Sequence, residues 1–460
     1  MARIMIAATG SGCGKTTVTC AILQALQNRG YGLAALKCGP DYIDPMFHRA
    51  VTGTAAGNLD SFFMPPEFLQ SRLAEQEEYY DLCVLEGAMG FYDGIGSSME
   101  ASAWHIACLT ATPVILVLSC RGMGCNSIGA MLRGFLWRND HHIAGVILNQ
   151  LSAGLYAEVC AAIADLPVKP LGYFPNKEAF ALGSRHLGLV TAAEIQHLQE
   201  KMHELAQQAE QSLDLDSLVQ LANTAQPLPR KPFVLEQATA QPVTIAVARD
   251  KAFCFLYEEN LQILLQLGAR LAFFSPLEDK HLPDTCCGLY LCGGYPELYG
   301  AALAANKDML TAIKHAIDTG MPVIAECGGF LYLHQILEDA EGKRWPLVGA
   351  LPGKAWPTEK LQRFGYITLE AQGENLSAQN DLRIRGHEFH YWESDCCGDG
   401  FLAHKAGRQR SWRCVNSHEN LYAGFPHLYF YSNPDFARGF IRKAAAYGTF
   451  NSIVTANKTD

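Results

Sequence analysis

Residues 7–17, AATGSGCGKTT, combine closely spaced glycines with a lysine and two threonines. A glycine-rich turn between a strand and a helix presents consecutive backbone N–H groups, which form an electropositive hollow for a phosphate chain. In such a loop Lys15 would reach the outer phosphates, and the Thr16 hydroxyl would complete the coordination of magnesium. The spacing predicts a nucleotide phosphate-binding loop rather than a glycine-rich turn with a surface lysine, although Thr9 stands where the strict G-x-x-x-x-G-K-[ST] pattern begins. The candidate residues are Gly10, Gly12, Gly14, Lys15, Thr16 and Thr17.

Charged side chains follow two later apolar runs. Lys37, Asp41 and Asp44 lie in KCGPDYIDP after the run 33–36, and Glu86 directly follows the run 82–85. If these runs are parallel strands, their carboxyl ends share one edge with the phosphate loop, where an acidic side chain can hold magnesium directly or through water. The alternative, a merely solvated loop carboxylate, has more weight for Asp44 than for Asp41 or Glu86.

Further polar candidates have weaker signals. Arg185 and His186 occur together in LGSRHLGL, where they can face an anionic substrate or form a helix-terminal or interdomain salt bridge. Arg121 and Asn149 follow the apolar runs 114–118 and 143–148, and structural roles are favoured for both.

Cys327 stands in PVIAECGGFLYL, between a predicted strand, 322–325, and a helix that begins near Gly328. A nucleophile on such a tight turn is exposed above the sheet, and its backbone neighbours supply oxyanion donors. The G-x-C-x-G pattern is met in part, because Ala325 replaces its first glycine and Gly329 supplies its last. A helix N-terminus is expected to lower the pKa of the thiol, which distinguishes Cys327 from an inert buried cysteine.

A nucleophilic cysteine needs a base, and two histidine stretches qualify. GHEFHYWE contains His387 and His390, and FPHLYFYSNP contains His427. His387 and His390 alternate with aromatic residues on a predicted strand, a pattern more typical of packing or substrate contact than of catalysis.

The elements that position these residues follow from the apolar pattern. Helix-length segments separate most of the first runs, which predicts βαβ units and a parallel sheet. The predicted strands of this half are 4–8, 33–36, 82–85, 114–118 and 143–148, with helical patterns at 16–27 and 191–221. A Pro-rich stretch, 225–233, predicts a domain linker. The second half restarts with strand 243–248, helix 255–267 and strand 270–274. We therefore predict an α/β fold of two domains, 1–230 and 240–460, each a mainly parallel sheet covered by helices.

Composition limits the function classes. The 460 residues are 49% hydrophobic and 18% charged, which is typical of a globular protein, and no run of 18 apolar residues predicts a membrane span. The N-terminus enters a strand without the features of a signal peptide, so a cytoplasmic location and reduced thiols are expected for the 16 cysteines. The pairs Cys286/Cys287 and Cys396/Cys397 lack zinc-ligand spacing. A net charge of −10 argues against a nucleic-acid partner.

Taken together, TGSGCGKTT, KCGPDYIDP, EGAMGFYDG, SRHLGL, LCGGYPELY, AECGGFLYL, GHEFHY and HLYFYSNP closely resemble the cobyrinate a,c-diamide synthase family. That family is similar to dethiobiotin synthetase in its N-terminal ATP-dependent ligase domain, and to class I glutamine amidotransferases in its C-terminal domain. The resemblance implies ATP and Mg²⁺ as cofactors, and L-glutamine and cobyrinic acid or a related tetrapyrrole as substrates. Neither nucleic acid nor membrane is expected as a partner, and a homodimer is left open.

The resemblance also implies roles for individual residues. Cys327 matches the glutaminase cysteine and His427 the histidine that activates it, whereas Tyr429 stands where most class I amidotransferases have an acid. Gly293 and Gly294 match the loop that forms the oxyanion hole, to which Gly328 is added as the neighbour of the cysteine. Asp41, Asp44 and Glu86 match the ATP, magnesium and carboxylate-activation site of the family. With the residues singled out above, the assignments are Thr16, Asp41 and Glu86 to magnesium, Lys37 to the nucleotide, and Asp44, Arg185 and His186 to the substrate.

These matches imply amidation through an acyl phosphate, with ammonia released by the second domain. An anionic corrin acid would need a locally positive cleft, for which Lys37, Arg185 and His186 are the candidates. Two alternatives stay open. The same scaffold can amidate nickel-sirohydrochlorin or other corrin side chains, and a protein of another class, a ParA/MinD-like ATP switch, would use its second domain only to bind a partner.

Overall fold

The structure is a computed structural model of the chain, and it describes residues 2–53, 56–180, 184–185, 188–189, 198–231 and 233–459. The chain divides into two compact units, residues 1–233 and 234–460. Each unit has its own sheet and its own buried core. Among the described residues, no helix is both long and apolar enough to cross a membrane.

The first unit is built on a seven-stranded parallel sheet in the order β3-β2-β4-β1-β5-β6-β7. Its strands are β1 Ala2–Ala8, β2 Leu33–Cys38, β3 Gly57–Leu59, β4 Leu82–Glu86, β5 Val114–Ser119, β6 Ile143–Asn149 and β7 Lys169–Phe174, followed by the hairpin strands β8 Ser184–Arg185 and β9 Gly188–Leu189. Its helices are α1 Lys15–Asn28, α2 Ile43–Thr52, α3 Pro66–Glu75, α4 Ala103–Thr110, α5 Cys125–Phe135, α6 Ala153–Ala162, α7 Leu198–Ser212 and α8 Leu215–Ala222.

The near-continuous apolar runs arise because helices cover both faces of this sheet. Strands β1, β4 and β5 are buried along almost their whole length. The order of the strands reverses around β1, so the turn after Ala8 lies at the topological switch point, where ligands bind in open α/β sheets.

The second unit contains a six-stranded sheet in the order β12-β10-β13-β15-β25-β24, parallel except for the last pair. A five-stranded antiparallel sheet, β23-β22-β19-β20-β26, and a four-stranded sheet, β17-β16-β18-β21, accompany it. The strands are β10 Val243–Ala248, β11 Phe253–Phe255, β12 Ala269–Phe274, β13 Cys286–Leu291, β14 Gly293–Gly294, β15 Val323–Glu326, β16 His334–Glu338, β17 Arg344–Pro346, β18 Leu351–Pro357, β19 Arg363–Ala371, β20 Arg383–His390, β21 Trp392–Ser394, β22 Phe401–Lys405, β23 Ser411–Cys414, β24 Asn416–His418, β25 Leu421–Gly424 and β26 His427–Leu428. The helices are α9 Glu258–Gln266, α10 Gly300–Ala305, α11 Lys307–Asp318, α12 Gly328–Tyr332 and α13 Pro434–Thr459.

The two-unit α/β architecture predicted from the sequence is confirmed, and three details differ. Residues 253–255 form strand β11, which pairs with Gly293–Gly294, so the helix predicted from 255 begins only at Glu258. The helical segment predicted at 191–221 is resolved into α7 and α8, while residues 191–197 lie outside the described part. The antiparallel sheets of the second unit add to the predicted parallel one.

Candidate functional site

The phosphate loop has the geometry that its glycines predict. It joins the end of β1 to the start of α1, and Gly12 and Gly14 adopt φ values of 74° and 78°, which side chains strongly disfavour. A Cβ on Gly14 would lie 2.3 Å from Nδ2 of Asn149, and this same nitrogen donates a 2.7 Å hydrogen bond to the carbonyl of Cys13. Asn149, at the end of β6, therefore holds the loop closed, in agreement with the structural role favoured for it. Arg121 is exposed on the surface.

Two side chains in the first turn of α1 reach the neighbouring strand end. Nζ of Lys15 donates to the carbonyl of Met89 at 3.3 Å. The Thr16 hydroxyl donates to Oε1 of Glu86 at 2.7 Å and lies 3.3 Å from Oδ2 of Asp44. Burial and the neighbouring Lys37 lower the pKa of Lys15. The phosphate loop and the end of β4 thus form one site, as the parallel sheet predicts.

A buried ion-pair cluster lies behind Thr16. Nζ of Lys37 donates to Oδ2 of Asp44, to Oε1 of Glu86 at 3.0 Å and to the carbonyl of Gly87 at 3.1 Å. On the other side of Glu86, Nε2 of His48 lies 2.7 Å from Oε2. Lys37 is only 3% exposed, so it does not present the open positive charge that the sequence suggested for an anionic substrate.

Within this cluster the pKa values of the two buried carboxyl groups, Glu86 and Asp44, are shifted in opposite directions. Burial alone would raise the pKa of Glu86, but the charge of Lys37 and the hydrogen bond from His48 hold that pKa well below its ordinary value. Burial, with Asp41 and Glu86 nearby, raises the pKa of Asp44 to about 8 although Lys37 opposes the shift. Glu86 is therefore the permanent carboxylate of the cluster, and Asp44 is the group that takes up a proton most readily.

Asp41 has a local structural role in addition to the predicted one. Its Oδ1 accepts the backbone N–H groups of Ile43 at 2.8 Å and Asp44 at 3.1 Å, which caps the start of α2. Nδ2 of Asn58 donates to the carbonyl of Asp41 at 2.7 Å and fixes the loop. Asp41 is thus rigidly held within charge range of Lys37, whose pKa it helps to raise.

The residues present fit a magnesium ion that phosphate oxygens would complete. Within the described ranges, no three His, Cys, Asp or Glu side chains are grouped so as to hold a metal by themselves. The Thr16 hydroxyl and the Glu86 carboxylate nevertheless bring two hard oxygen donors together, and Mg²⁺ typically takes one or two protein ligands with phosphates and water for the rest.

Two of the three predicted substrate cations, Arg185 and His186, lie partly or wholly outside the described residues. Arg185 belongs to β8, but its side chain is outside the described part, and His186 is wholly outside it. His48, which the sequence reading missed, is fully buried against Glu86. His48 lies in α2, three residues after the stretch KCGPDYIDP, and nothing in the local sequence indicates its contact with Glu86.

In the second unit, Cys327 occupies the turn between β15 and α12 with φ 47° and ψ −103°, a strained conformation for a residue with a side chain. Its N–H donates to the carbonyl of Gly424 at 2.8 Å, and its carbonyl accepts the N–H of Leu331 at 2.8 Å. A Cβ on Gly329 would lie 2.1 Å from the carbonyl oxygen of Leu291, so the tight turn requires glycine there. The predicted strand-to-helix elbow is present.

The expected lowering of the Cys327 thiol pKa is wrong. Burial and the charge of Glu297 raise that pKa well above its ordinary value, against the opposing hydrogen bond from the N–H of Gly328. Helix α12 spans only five residues, and the side chain is 8% exposed, so desolvation of the thiolate dominates over any field from the helix. The resting residue is a neutral thiol.

The three predicted oxyanion glycines lie together. A Cβ on Gly328 would lie 2.8 Å from the backbone nitrogen of Gly294, and a Cβ on Gly293 would lie 2.4 Å from Cε1 of His427. Gly294 adopts φ 155° and pairs with Phe253. The backbone of residues 293–294 is therefore lodged between the cysteine turn and the histidine ring, with no room for side chains.

His427 lies on β26, where it pairs with His387 of β20. The two rings stack with centroids 5.0 Å apart and planes at 19°, and Nδ1 of His387 lies 3.2 Å from the hydroxyl of Tyr257. Burial, then the proximity of His387 and His390, lowers the pKa of His427 well below its ordinary value. The imidazole is neutral, as a proton acceptor must be.

The other two histidines are held by packing. Burial lowers the pKa of His387 to about 3 and that of His390 to about 4. The His390 ring stacks on Phe425 at 3.8 Å, and its Nδ1 bonds with the carbonyl of Trp392 at 2.7 Å. His390 therefore has a packing role, whereas His387 contacts the candidate base directly.

The fold and these two sites define a phosphate-loop nucleotide-binding unit joined to a class I amidotransferase-like unit. Two family descriptions match in the same order: a CobQ/CobB/MinD/ParA nucleotide binding domain over residues 4–190, and a CobB/CobQ-like glutamine amidotransferase domain over residues 244–435.

Relatives named cobyrinate a,c-diamide synthase align with almost the whole chain. The one from Caldanaerobacter subterraneus is 36% identical over 97% of this chain and 100% of its own length. The one from Listeria innocua is 39% identical over 94% of this chain and 97% of its own. The one from Salmonella typhimurium is 36% identical over 96% and 97%, respectively. The chain belongs to the cobyrinate a,c-diamide synthase family.

Proposed function

We propose that the protein amidates the a and c acetate carboxylates of cobyrinic acid, using ATP to activate each carboxylate and glutamine as the nitrogen donor. The observation that carries this proposal is the presence, in one chain, of a phosphate loop joined to Glu86 and a cysteine elbow beside the His427 segment. An ATP switch that only binds a partner has no use for the second site. The names of the relatives support the corrin substrate.

We assign the activation step to residues 1–230. A carboxylate has a poor leaving group, so the γ-phosphoryl group of ATP is transferred to one carboxylate oxygen with release of ADP. Ammonia then attacks the acyl phosphate and phosphate leaves. Lys15 would bind the outer phosphates of ATP, and the backbone N–H groups of the loop would surround its triphosphate chain. The buried Lys37 would stabilise the negative charge of the phosphates beside the ion-pair cluster.

The metal and substrate assignments complete this site. Thr16, Asp41 and Glu86 would hold Mg²⁺, which when bound neutralises phosphate charge. Asp44, whose charge the buried Lys37 offsets, would face the substrate carboxylate. Arg185 and His186 would supply positive charge for the acidic arms of the corrin.

We assign the release of ammonia to residues 240–460. As the Cys327 sulfur attacks the amide carbon of glutamine, the thiol proton passes to the neutral His427, because a preformed thiolate is disfavoured by burial. His427 returns the proton to the leaving ammonia, then activates the water that cleaves the thioester to glutamate. Backbone N–H groups of Gly293, Gly294 and Gly328 would stabilise the tetrahedral oxyanion.

The proposal is tested by incubating the protein with ATP, Mg²⁺, glutamine and a series of tetrapyrrole acids, followed by mass spectrometry of the products. Cobyrinic acid is expected to gain one and then two amides. Preferential amidation of nickel-sirohydrochlorin would change the substrate, whereas no amidation of any corrinoid or sirohydrochlorin would exclude the activity.

A further inference from the structure

Glu326, the residue before Cys327, is a buried carboxyl group with two specific partners. It is 1% exposed and lies at the end of β15. Its Oε1 accepts the backbone N–H of Leu428 at 2.9 Å, and its Oε2 accepts the hydroxyl of Tyr290 at 3.0 Å. Leu428 is the residue after His427. The Glu326 side chain therefore links the residue before the candidate nucleophile, Cys327, to the residue after its candidate base, His427.

A second buried side chain, that of Asn260, is hydrogen-bonded to the same segment, residues 428–430. Nδ2 of Asn260, on α9, donates to the carbonyl of Leu428 at 2.8 Å, and its Oδ1 accepts the N–H of Phe430 at 2.8 Å. The same Nδ2 lies 3.5 Å from the Tyr290 hydroxyl, which links Asn260 to the Glu326 bond. Residues 428–430 are thus fixed from one side by side chains, and β20 pairs with 427–428 on the other.

This network surrounds Tyr429, which replaces the acid that usually orients the histidine. In a nucleophile–histidine–acid triad, the acid fixes the orientation of the imidazole by direct contact. Here Tyr429 occupies the position two residues after His427, and its ring packs edge-on against Tyr257 with centroids 4.9 Å apart. An aromatic ring held in this way is not a carboxylate partner for the histidine.

We infer that Glu326 and Asn260 are positioning residues that orient His427 toward Cys327 through the backbone of residues 428–430. The imidazole is then confined by its stack on His387 and by the backbone of Gly293. Burial raises the pKa of Glu326 to about 8, against the hydrogen bonds from Leu428 and Tyr290, so a neutral amide is a close substitute for this group near pH 7. The inference rests on the roles proposed above for Cys327 and His427.

The test compares glutaminase kinetics with ammonia-dependent synthesis in the full-length protein. Glu326→Leu removes the acceptor for Leu428 and is expected to lower the glutaminase kcat at least about tenfold, with the KM for glutamine within about threefold of wild type. Glu326→Gln keeps that acceptor and is expected to recover most of the lost turnover. Tyr290→Phe is the matched control, because it removes the bond to Oε2 and leaves the bond to Leu428. Synthesis from ammonium salt is expected to be unchanged in Glu326→Leu.

Several outcomes overturn the inference. It is wrong if folded Glu326→Leu keeps wild-type kcat, if KM rather than kcat carries the loss, or if Glu326→Gln is as impaired as Glu326→Leu. Should Glu326→Leu not fold, Asn260→Ala must show the same loss of kcat. If neither variant folds, the network is a folding determinant and the inference is also wrong. Absence of glutaminase activity in wild type, or its survival in Cys327→Ala, would instead refute the proposed function.

Discussion

The Thr16 hydroxyl donates a 2.7 Å hydrogen bond to Oε1 of Glu86, which ties the phosphate loop to the end of the neighbouring strand β4. The two residues are 70 positions apart in the chain, and the parallel pairing of β1 with β4 brings them together. Because Lys37 and His48 keep Glu86 ionised, this contact sets a carboxylate beside the place where phosphates are expected.

Loss of the phosphate-site residues should abolish synthesis with either nitrogen source. Lys15→Ala and Glu86→Gln are expected to lower activity by at least about a thousandfold with both glutamine and ammonium salt, because both sources need the activated carboxylate. Product formation is measured by mass spectrometry. Lys169→Ala is the control, since Lys169 lies at the amino end of the edge strand β7, whereas the phosphate loop follows the carboxyl end of the central strand β1. Normal ammonia-dependent activity in either variant would move that residue out of the ligase site.

His48 should matter for stability as well as for activity. His48→Leu removes the 2.7 Å partner of a fully buried carboxylate and is expected to cost about 2–3 kcal/mol of unfolding free energy, with a loss of ammonia-dependent synthesis. Denaturant unfolding monitored by circular dichroism measures the first effect. The exposed His203 on α7 provides the control variant His203→Leu, for which little change is expected. Equal stability of both variants would show that Glu86 does not depend on His48.

Substitutions in the second unit should separate the two half-reactions, release of ammonia and amidation. Cys327→Ala and His427→Ala are expected to lose glutamine-dependent synthesis and to keep synthesis from ammonium salt, which should increase with pH as more ammonia is unprotonated. His387→Ala is expected to keep part of the glutaminase activity, because His387 stacks on the base without replacing it. Cys396→Ala controls for general effects of losing a thiol. If His387→Ala matches Cys327→Ala while His427→Ala stays active, the base is misassigned.

Glu326 should make stability depend on pH in a defined direction. Its pKa rises from the ordinary 4.5 to about 8 in the folded protein, so the folded state holds the proton more tightly than the unfolded state. The stability linked to this group is complete below about pH 4.5 and is lost as the pH rises through about 8. Relative to wild type, Glu326→Gln should therefore gain unfolding free energy between about pH 5 and about pH 9, measured by denaturant unfolding. A pH-independent difference would contradict this assignment.

The sequence predicted the elements that local pattern determines. Strand β10 has the predicted bounds, 243–248, and Glu86 ends β4 as expected, because strands buried on both faces leave continuous apolar runs. The glycines of the phosphate loop were also identified from local pattern, because the positive φ values at Gly12 and Gly14 are a local requirement.

Features that depend on tertiary neighbours were missed. The contact of His48 with Glu86, the stack of His387 on His427 and the bond of Glu326 to Leu428 join residues that are distant in the chain or lie on different strands. The thiol pKa of Cys327 was predicted in the wrong direction because its burial is set by packing, which the motif AECGG does not encode.

The most direct test follows nitrogen through both units in one reaction. The wild-type protein is given ATP, Mg²⁺, cobyrinic acid and glutamine labelled with heavy nitrogen in its amide, together with unlabelled ammonium salt at low concentration. The account predicts cobyrinic acid a,c-diamide that carries the label, and unlabelled product when Cys327→Ala is used with abundant ammonium. Unlabelled product from wild type, labelled product from Cys327→Ala, or no amide at all would contradict it.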